Sequence, residues 1–131
     1  MSSSFLFSII MPIYNVEKWL EAAIESIINQ NDIDFERDVQ IILINDCSPD
    51  NSENICLDYK KKYSNILYLK NSVNLGASES RNHGLKYAEG KYINFCDPDD
   101  ILSDNVLNEV RVFFDICAEK GEEIAHVSIP L

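Results

Sequence analysis

Asp97, Asp99 and Asp100 place three carboxylates within the short stretch "CDPDD", directly after the apolar run "KYINFC" at 91–96. Two exposed carboxylates about 4 Å apart repel by roughly 1 kcal/mol, and by more where water is partly excluded. A hard divalent cation relieves such repulsion, because Mg²⁺ or Mn²⁺ takes carboxylate oxygens and is commonly shared between protein and phosphate. Asp97 or Asp99 can hold such an ion against a diphosphate. Three further groups follow other apolar runs. "MPIYN" supplies Pro12 and Tyr14, whose ring can stack on a base. "INDCSPD" supplies a lone Asp46 that can accept a hydrogen bond from a base N–H. "NSVNLGASESRN" supplies Gly76 and Arg81, a positive charge suited to phosphate.

Each of these residues also has a purely structural use. The Asp97–Asp100 cluster can be a solvated loop ahead of a helix. Tyr14 can close the core at a strand end. Asp46, Ser48 and Asp50 can make turns and helix caps. Arg81 can pair with Glu79 or another nearby acid. His83 and His126 have no ligand partners at useful spacing, and Trp19, early in a helical pattern, is expected in the core.

The elements that must position these groups alternate. "FLFSIIM" (5–11) and "VQIILIN" (39–45) are apolar runs suited to strands covered on both faces. "NILYLK" (65–70) is a weaker third strand, "KYINFC" (91–96) a fourth and "EIAHVSI" (123–129) a fifth. Between them, 16–30 carries Val16, Leu20, Ala23, Ile24, Ile27 and Ile28 at helical spacing. The segment 48–63 offers capping residues, then a helix with a basic last turn that suits the helix dipole. A short helix is predicted over 76–90. Another is predicted over 103–121, with Val106, Val110, Phe113, Phe114 and Cys117 inward and Gly121 at its end. Strand–helix alternation with buried strands predicts an α/β fold: an open, mostly parallel sheet with helices on both faces. Ligands in such sheets sit at the carboxyl ends of the strands, near the switch in strand order. The four groups above all stand at strand ends.

Composition narrows the function. The 131 residues suffice for one domain, and 46% hydrophobic with 25% charged residues is a globular balance. A net charge of −11 argues against a nucleic-acid partner and means that an anionic ligand needs a local cation, an arginine or helix N-termini. Cys47, Cys56, Cys96 and Cys117 lack paired metal-site spacing and read as free thiols in a reducing cytosol. The apolar N-terminus is too short and insufficiently basic for a signal peptide, and no run approaches the roughly 18–20 residues of a membrane span.

The ordered series "SIIMPIYNVEKWLEAAIESIINQ", "IILINDCSPDNS" and "NLGASESRNHGLKYAEGKYINFCDPDD" resembles the successive motifs of glycosyltransferase family two, the inverting sugar transferases of GT-A fold. The likeness runs from about Ser8 to Asp100. It implies that Pro12, Ile13, Tyr14 and Asp46 hold the nucleobase and that Arg81 lies near base and phosphates. It further implies that Asp97 touches the ribose or the metal shell and that Asp99 is the metal ligand. The implied cofactor is Mg²⁺ or Mn²⁺. The implied donor is a nucleotide-diphospho-sugar, a UDP-sugar first, and the acceptor a saccharide or lipid-linked hydroxyl. A cytoplasmic site, at the inner membrane face in a full-length protein, and polysaccharide biosynthesis follow from the same likeness. Two departures stand out. Cys47 occupies a place where the family usually has glycine, which implies an altered turn after Asp46. The family's acceptor site and general base have no counterpart before Leu131, so residues 1–131 are expected to be a single donor-binding domain without the acceptor part, inactive alone and open to self-association through an exposed strand edge.

Two rival readings remain at this point. One is a non-catalytic nucleotide- or cation-binding module. The other is a receiver-type signalling domain, which would want paired acids after the first strand and a lysine after the fifth; the chain has "PIYN" and "SIPL" there.

Overall fold

The computed structural model describes residues 5–121. Strands β1 (Phe7–Ile13), β2 (Val39–Asn45), β3 (Ile66–Lys70) and β4 (Tyr92–Phe95) form one sheet, all parallel, in the order β3-β2-β1-β4. Helices α1 (Leu20–Ile28), α2 (Phe35–Asp38), α3 (Ser52–Lys62), α4 (Ala77–Leu85) and α5 (Val106–Glu119) connect and cover it. The expected fifth strand at 123–129 lies outside the described residues.

Both central strands are buried along their full length, which is why they read as apolar runs interrupted by few polar residues. Alternation splits them between two cores. Phe7, Ile9, Met11 and Ile13 of β1, with Val39, Ile41 and Leu43 of β2, face a large cluster completed by α1, α3 and α5. Helix α1 supplies Leu20, Ala23, Ile24 and Ile27 at i, i+3, i+4 and i+7, all fully buried. Its three larger side chains contribute roughly 1.5–3 kcal/mol each. Ile10, Ile42 and Ile44 face the other side, toward α4. There the helix approaches so closely that a Cβ on Gly84 would lie 2.7 Å from Ile44 Cδ1 and 2.8 Å from Ile10 Cγ2. On the same side Ser8 Oγ donates to Gln40 Oε1 across β1 and β2, and the pair takes in the turn before β4: Gly90 N–H donates to Ser8 Oγ and Glu89 N–H to Gln40 Oε1.

The structure moves several predicted boundaries. β1 runs to Ile13, so Pro12 and Ile13 lie inside the strand instead of after it. Proline is tolerated there because β4 pairs with β1 only as far as Ile10–Phe95. Ile10 O accepts from Cys96 N–H; two residues on, Pro12 faces the same side with no strand left to require its missing N–H. Helix α1 begins at Leu20, after a turn closed on Val16 O. Trp19 in that turn therefore points outward and is 51% exposed, against its expected place in the core. In α5, Val106 and Cys117 are buried and Val110 packs against the core as predicted, and Phe114 stacks on Tyr92 at 4.1 Å. Phe113, expected inward, is exposed although its i+7 spacing from Val106 keeps it on that face; its ring meets Phe114 edge-on at 6.1 Å instead of entering the core.

Candidate functional site

The strand order reverses at β1: successive connections build outward to β2 and β3, and the chain then returns to place β4 on the other side. The crevice between the carboxyl ends of β1 and β4 is the switch point, where open α/β sheets bind ligands. Tyr14, Asp46, Arg81 and the acidic cluster all lie on this rim of the sheet, as their strand-end positions predicted.

Side chains tie the rim loops to one another. After β1, the amides of Asn15, Val16 and Glu17 donate to Ser48 Oγ (3.2 Å), Ser52 Oγ (3.4 Å) and Asp50 Oδ2 (3.0 Å). Burial pushes the Asp50 carboxyl up, but the hydrogen bonds from Glu17 and Ser52 outweigh it and hold it below the usual range. This clasp presents Tyr14 with 47% of its surface exposed, which suits stacking and not core closure. Ile13 contributes differently from expectation. Its side chain is fully buried, and its carbonyl already accepts from Asp46 N–H and Ser48 Oγ. Pro12 is likewise buried within β1.

Asp46 is 3% exposed. Its Oδ1 accepts from Leu75 N–H (2.7 Å) and Asn71 Nδ2 (2.9 Å), and its Oδ2 from Gly76 N–H (2.8 Å). Burial alone would raise its pKa; the hydrogen bonds led by those from Leu75, Asn71 and Gly76 more than reverse this, leaving the carboxyl below the usual range. Asp46 thus anchors the 71–76 loop and the start of α4. Cys47, next in sequence, has φ +61, the left-handed conformation that glycine accepts without strain. The turn after Asp46 thus places a cysteine where glycine would be unstrained, and the exposed thiol lies 3.7 Å from Ser72 O.

Arg81 on α4 reaches across the crevice to Asp97, Nη2 to Oδ1 at 3.1 Å. Its Nε is buried with no hydrogen-bond partner among the described residues. One carboxylate oxygen each of Asp97, Asp99 and Asp100 can be chosen so that all three lie within 4.8 Å of one another. Asp100 is pushed up from the ordinary carboxylate range, first by desolvation and then by the charges of Asp99 and Asp97. Burial and the same three carboxylates push the Cys96 thiol up to about 12, so it stays protonated. An all-oxygen, anionic donor set at this spacing fits a hard divalent cation, and the orphaned guanidinium N–H fits a phosphate oxygen beside it. The segment after the cluster is fixed to α1. Ser26 Oγ accepts from Leu102 N–H, while Gln30 donates to Ser103 O and accepts from Leu107 N–H. Ser26, Gln30 and Asn71 were missed from sequence because single polar residues beside apolar ones carry no periodic signal.

An open parallel sheet with an acidic, arginine-flanked crevice at its switch point defines an α/β protein of the kind whose ligands sit at that crevice. The chain belongs to glycosyl transferase family 2, whose sequence model matches residues 8–115. It is 55% identical over 130 residues to the minor teichoic acid biosynthesis protein GgaB of Bacillus subtilis (strain 168), covering 99% of this chain and 14% of that protein. It is 38% identical to the poly(ribitol-phosphate) beta-glucosyltransferase of Bacillus spizizenii, over 76% of this chain and 16% of that one. Among solved structures, S. aureus TarS 1–349 in complex with UDP superposes with a TM-score of 0.76 at 28% identity, over 95% of this chain and 38% of that one. The chain therefore spans a minor part of the relatives it matches. The GT-A expectation holds for the described sheet and helices. Among the described residues no helix is long and apolar enough to cross a membrane.

Proposed function

We propose that this chain forms the donor site of a glycosyltransferase that binds a nucleotide-diphospho-sugar, a UDP-sugar first, for inverting transfer to an acceptor hydroxyl. The observation that carries this is the Asp97–Asp99–Asp100 cluster facing Arg81 across the switch-point crevice. Asp99, with Asp97, would hold Mg²⁺ or Mn²⁺; the bound ion would supply Lewis-acid stabilisation of the diphosphate leaving group. Arg81 binds the diphosphate through its free Nε–H. Tyr14 stacks on the base, and Pro12, Ile13 and Asp46 form the wall and floor behind it. The complex of S. aureus TarS with UDP supports the choice of nucleotide. The names of the Bacillus relatives, a teichoic acid biosynthesis protein and a poly(ribitol-phosphate) glucosyltransferase, support a role in polymer biosynthesis. The acceptor proposed is a saccharide or lipid-linked hydroxyl, and the place of action the cytoplasmic face of the membrane. The general base and acceptor wall come from parts of the protein beyond this chain, consistent with the 14% of GgaB that it matches.

Titration calorimetry with UDP tests the reading. Binding is expected with Mn²⁺ or Mg²⁺, to weaken sharply in EDTA, and to lose its metal dependence in Asp99→Ala. Equal affinity with and without metal would overturn the metal assignment.

A further inference from the structure

Residues of the rim that touch no ligand in this reading still decide its geometry. Asn71 follows β3 and is 5% exposed. Its Nδ2 donates to Asp46 Oδ1 at 2.9 Å and to Ser80 Oγ at 3.0 Å. A carboxylate oxygen can only accept, so the amide is oriented with its nitrogen toward Asp46 and its carbonyl away. That carbonyl lies 2.9 Å from His83 Nδ1. A carbonyl cannot donate, so Nδ1 of His83 carries the proton. The result is a directed chain from α4 to β2: His83 Nδ1–H to Asn71 Oδ1, then Asn71 Nδ2–H to Asp46 Oδ1. Asp46 in turn fixes the amides of Leu75 and Gly76 at the entry to α4, the helix that carries Arg81. Flipping the Asn71 amide would set its carbonyl against the Asp46 carboxylate and its NH₂ against the His83 N–H.

We infer that Asn71 and His83 are positioning residues for the donor site. His83 locks the Asn71 amide, and the locked amide holds Asp46, the 71–76 loop and α4 in the arrangement that aims Arg81 at Asp97. This rests on the donor-site reading for its effect on affinity, though not for its effect on the loop. His83 is only half-buried, so its removal costs little core packing and the effect is directional.

The test compares His83→Leu, which loses the donor, with His83→Asn, whose amide nitrogen can stand in for Nδ1. Hydrogen exchange by mass spectrometry on the protein follows peptides containing Leu75 and Gly76 beside a β2 peptide, and calorimetry follows UDP with Mn²⁺. His83→Leu is expected to speed exchange at Leu75 and Gly76 and to weaken UDP, each about five-fold, the size of one lost hydrogen bond, with β2 unchanged. His83→Asn is expected to restore both. Unchanged exchange at Leu75 and Gly76, acceleration that includes β2, or failure of His83→Asn to rescue would each overturn the inference. A wild-type protein that binds no UDP would sink the donor-site reading alone, because the exchange arm decides the positioning role without nucleotide.

Discussion

Replacing Asp46 by asparagine keeps the side chain's shape and removes one acceptor from a fully used set. With the new amide nitrogen at the Oδ2 position, it faces the Gly76 N–H, donor to donor. Turned over, it faces both Leu75 N–H and Asn71 Nδ2. The cheaper orientation leaves one buried backbone N–H unpaired and strips the charge from the remaining bonds, a cost of about 1–3 kcal/mol. Urea denaturation near pH 7 should therefore show Asp46→Asn less stable by about 2 kcal/mol. The difference should depend on acidity in a definite direction. The folded carboxyl titrates below its usual range, because its hydrogen bonds outweigh its burial. As pH falls, the unfolded chain takes up the proton first, near the ordinary value of about 3.9. Asp46's stabilisation is thus complete above that value and is lost as pH drops through the folded pKa. The gap between wild type and Asp46→Asn should hold from neutral pH to about 5 and shrink below about 4. A gap under about 0.5 kcal/mol at neutral pH, or one that stays constant into strong acid, would refute the argument that this carboxylate organises the rim.

Two glycines on the α4 side should respond unequally to alanine. A Cβ at Gly90 would meet Ser8 N at 2.5 Å and the Phe7 carbonyl carbon at 2.6 Å, so Gly90→Ala should destabilise by about 3 kcal/mol in thermal or urea unfolding. At Gly84 the clash is with movable isoleucine methyls, and alanine gains about 1 kcal/mol of helix propensity, so a loss near 1 kcal/mol is expected; the reverse order would contradict the packing described. Iodoacetamide on the native protein, read by peptide mapping, should label Cys47 and spare the buried Cys56 and Cys96, whose thiols burial pushes up to about 12. Labelling of Cys96 at a rate like that of Cys47 would mean that the cluster loop opens far more than its contacts allow.

The sheet was legible because "FLFSIIM" and "VQIILIN" are apolar at nearly every position, a pattern that only a doubly covered strand requires. Helix α1 was legible for the same reason in another period, through Leu20, Ala23, Ile24 and Ile27. Its start was not, since Val16 and Trp19 fit the helical spacing while their backbone makes a turn. Helix α2 is too short to carry a period. Arg81 and the acidic cluster were visible as chemistry, but their pairing across the crevice depends on a helix-to-strand distance that no local spacing encodes. Asp46 was assigned to a ligand; the structure gives it three intramolecular donors, a use that depends on Asn71, Leu75 and Gly76 arriving from a different strand end. His83 carried no signal at all, because its partner is twelve residues away and on another element.

Because β1 and β2 are apolar on both faces, a slip of one strand along the other would cost little hydrophobic contact, and the alignment must be specified by something else. Ser8 and Gln40 supply it. They stand opposite each other in the pairing, and between them they satisfy the amides of Glu89 and Gly90. A displacement of one residue would set Ser8 opposite Ile41 or Val39 and Gln40 opposite Phe7 or Ile9, leaving these polar groups against apolar neighbours. It would also shift Asn45 and Asp46 by about 3.3 Å relative to Ile13, out of hydrogen-bond reach of the loop that Asp46 holds. The accuracy of the crevice is therefore fixed at the far end of the sheet, by two side chains that never approach a ligand.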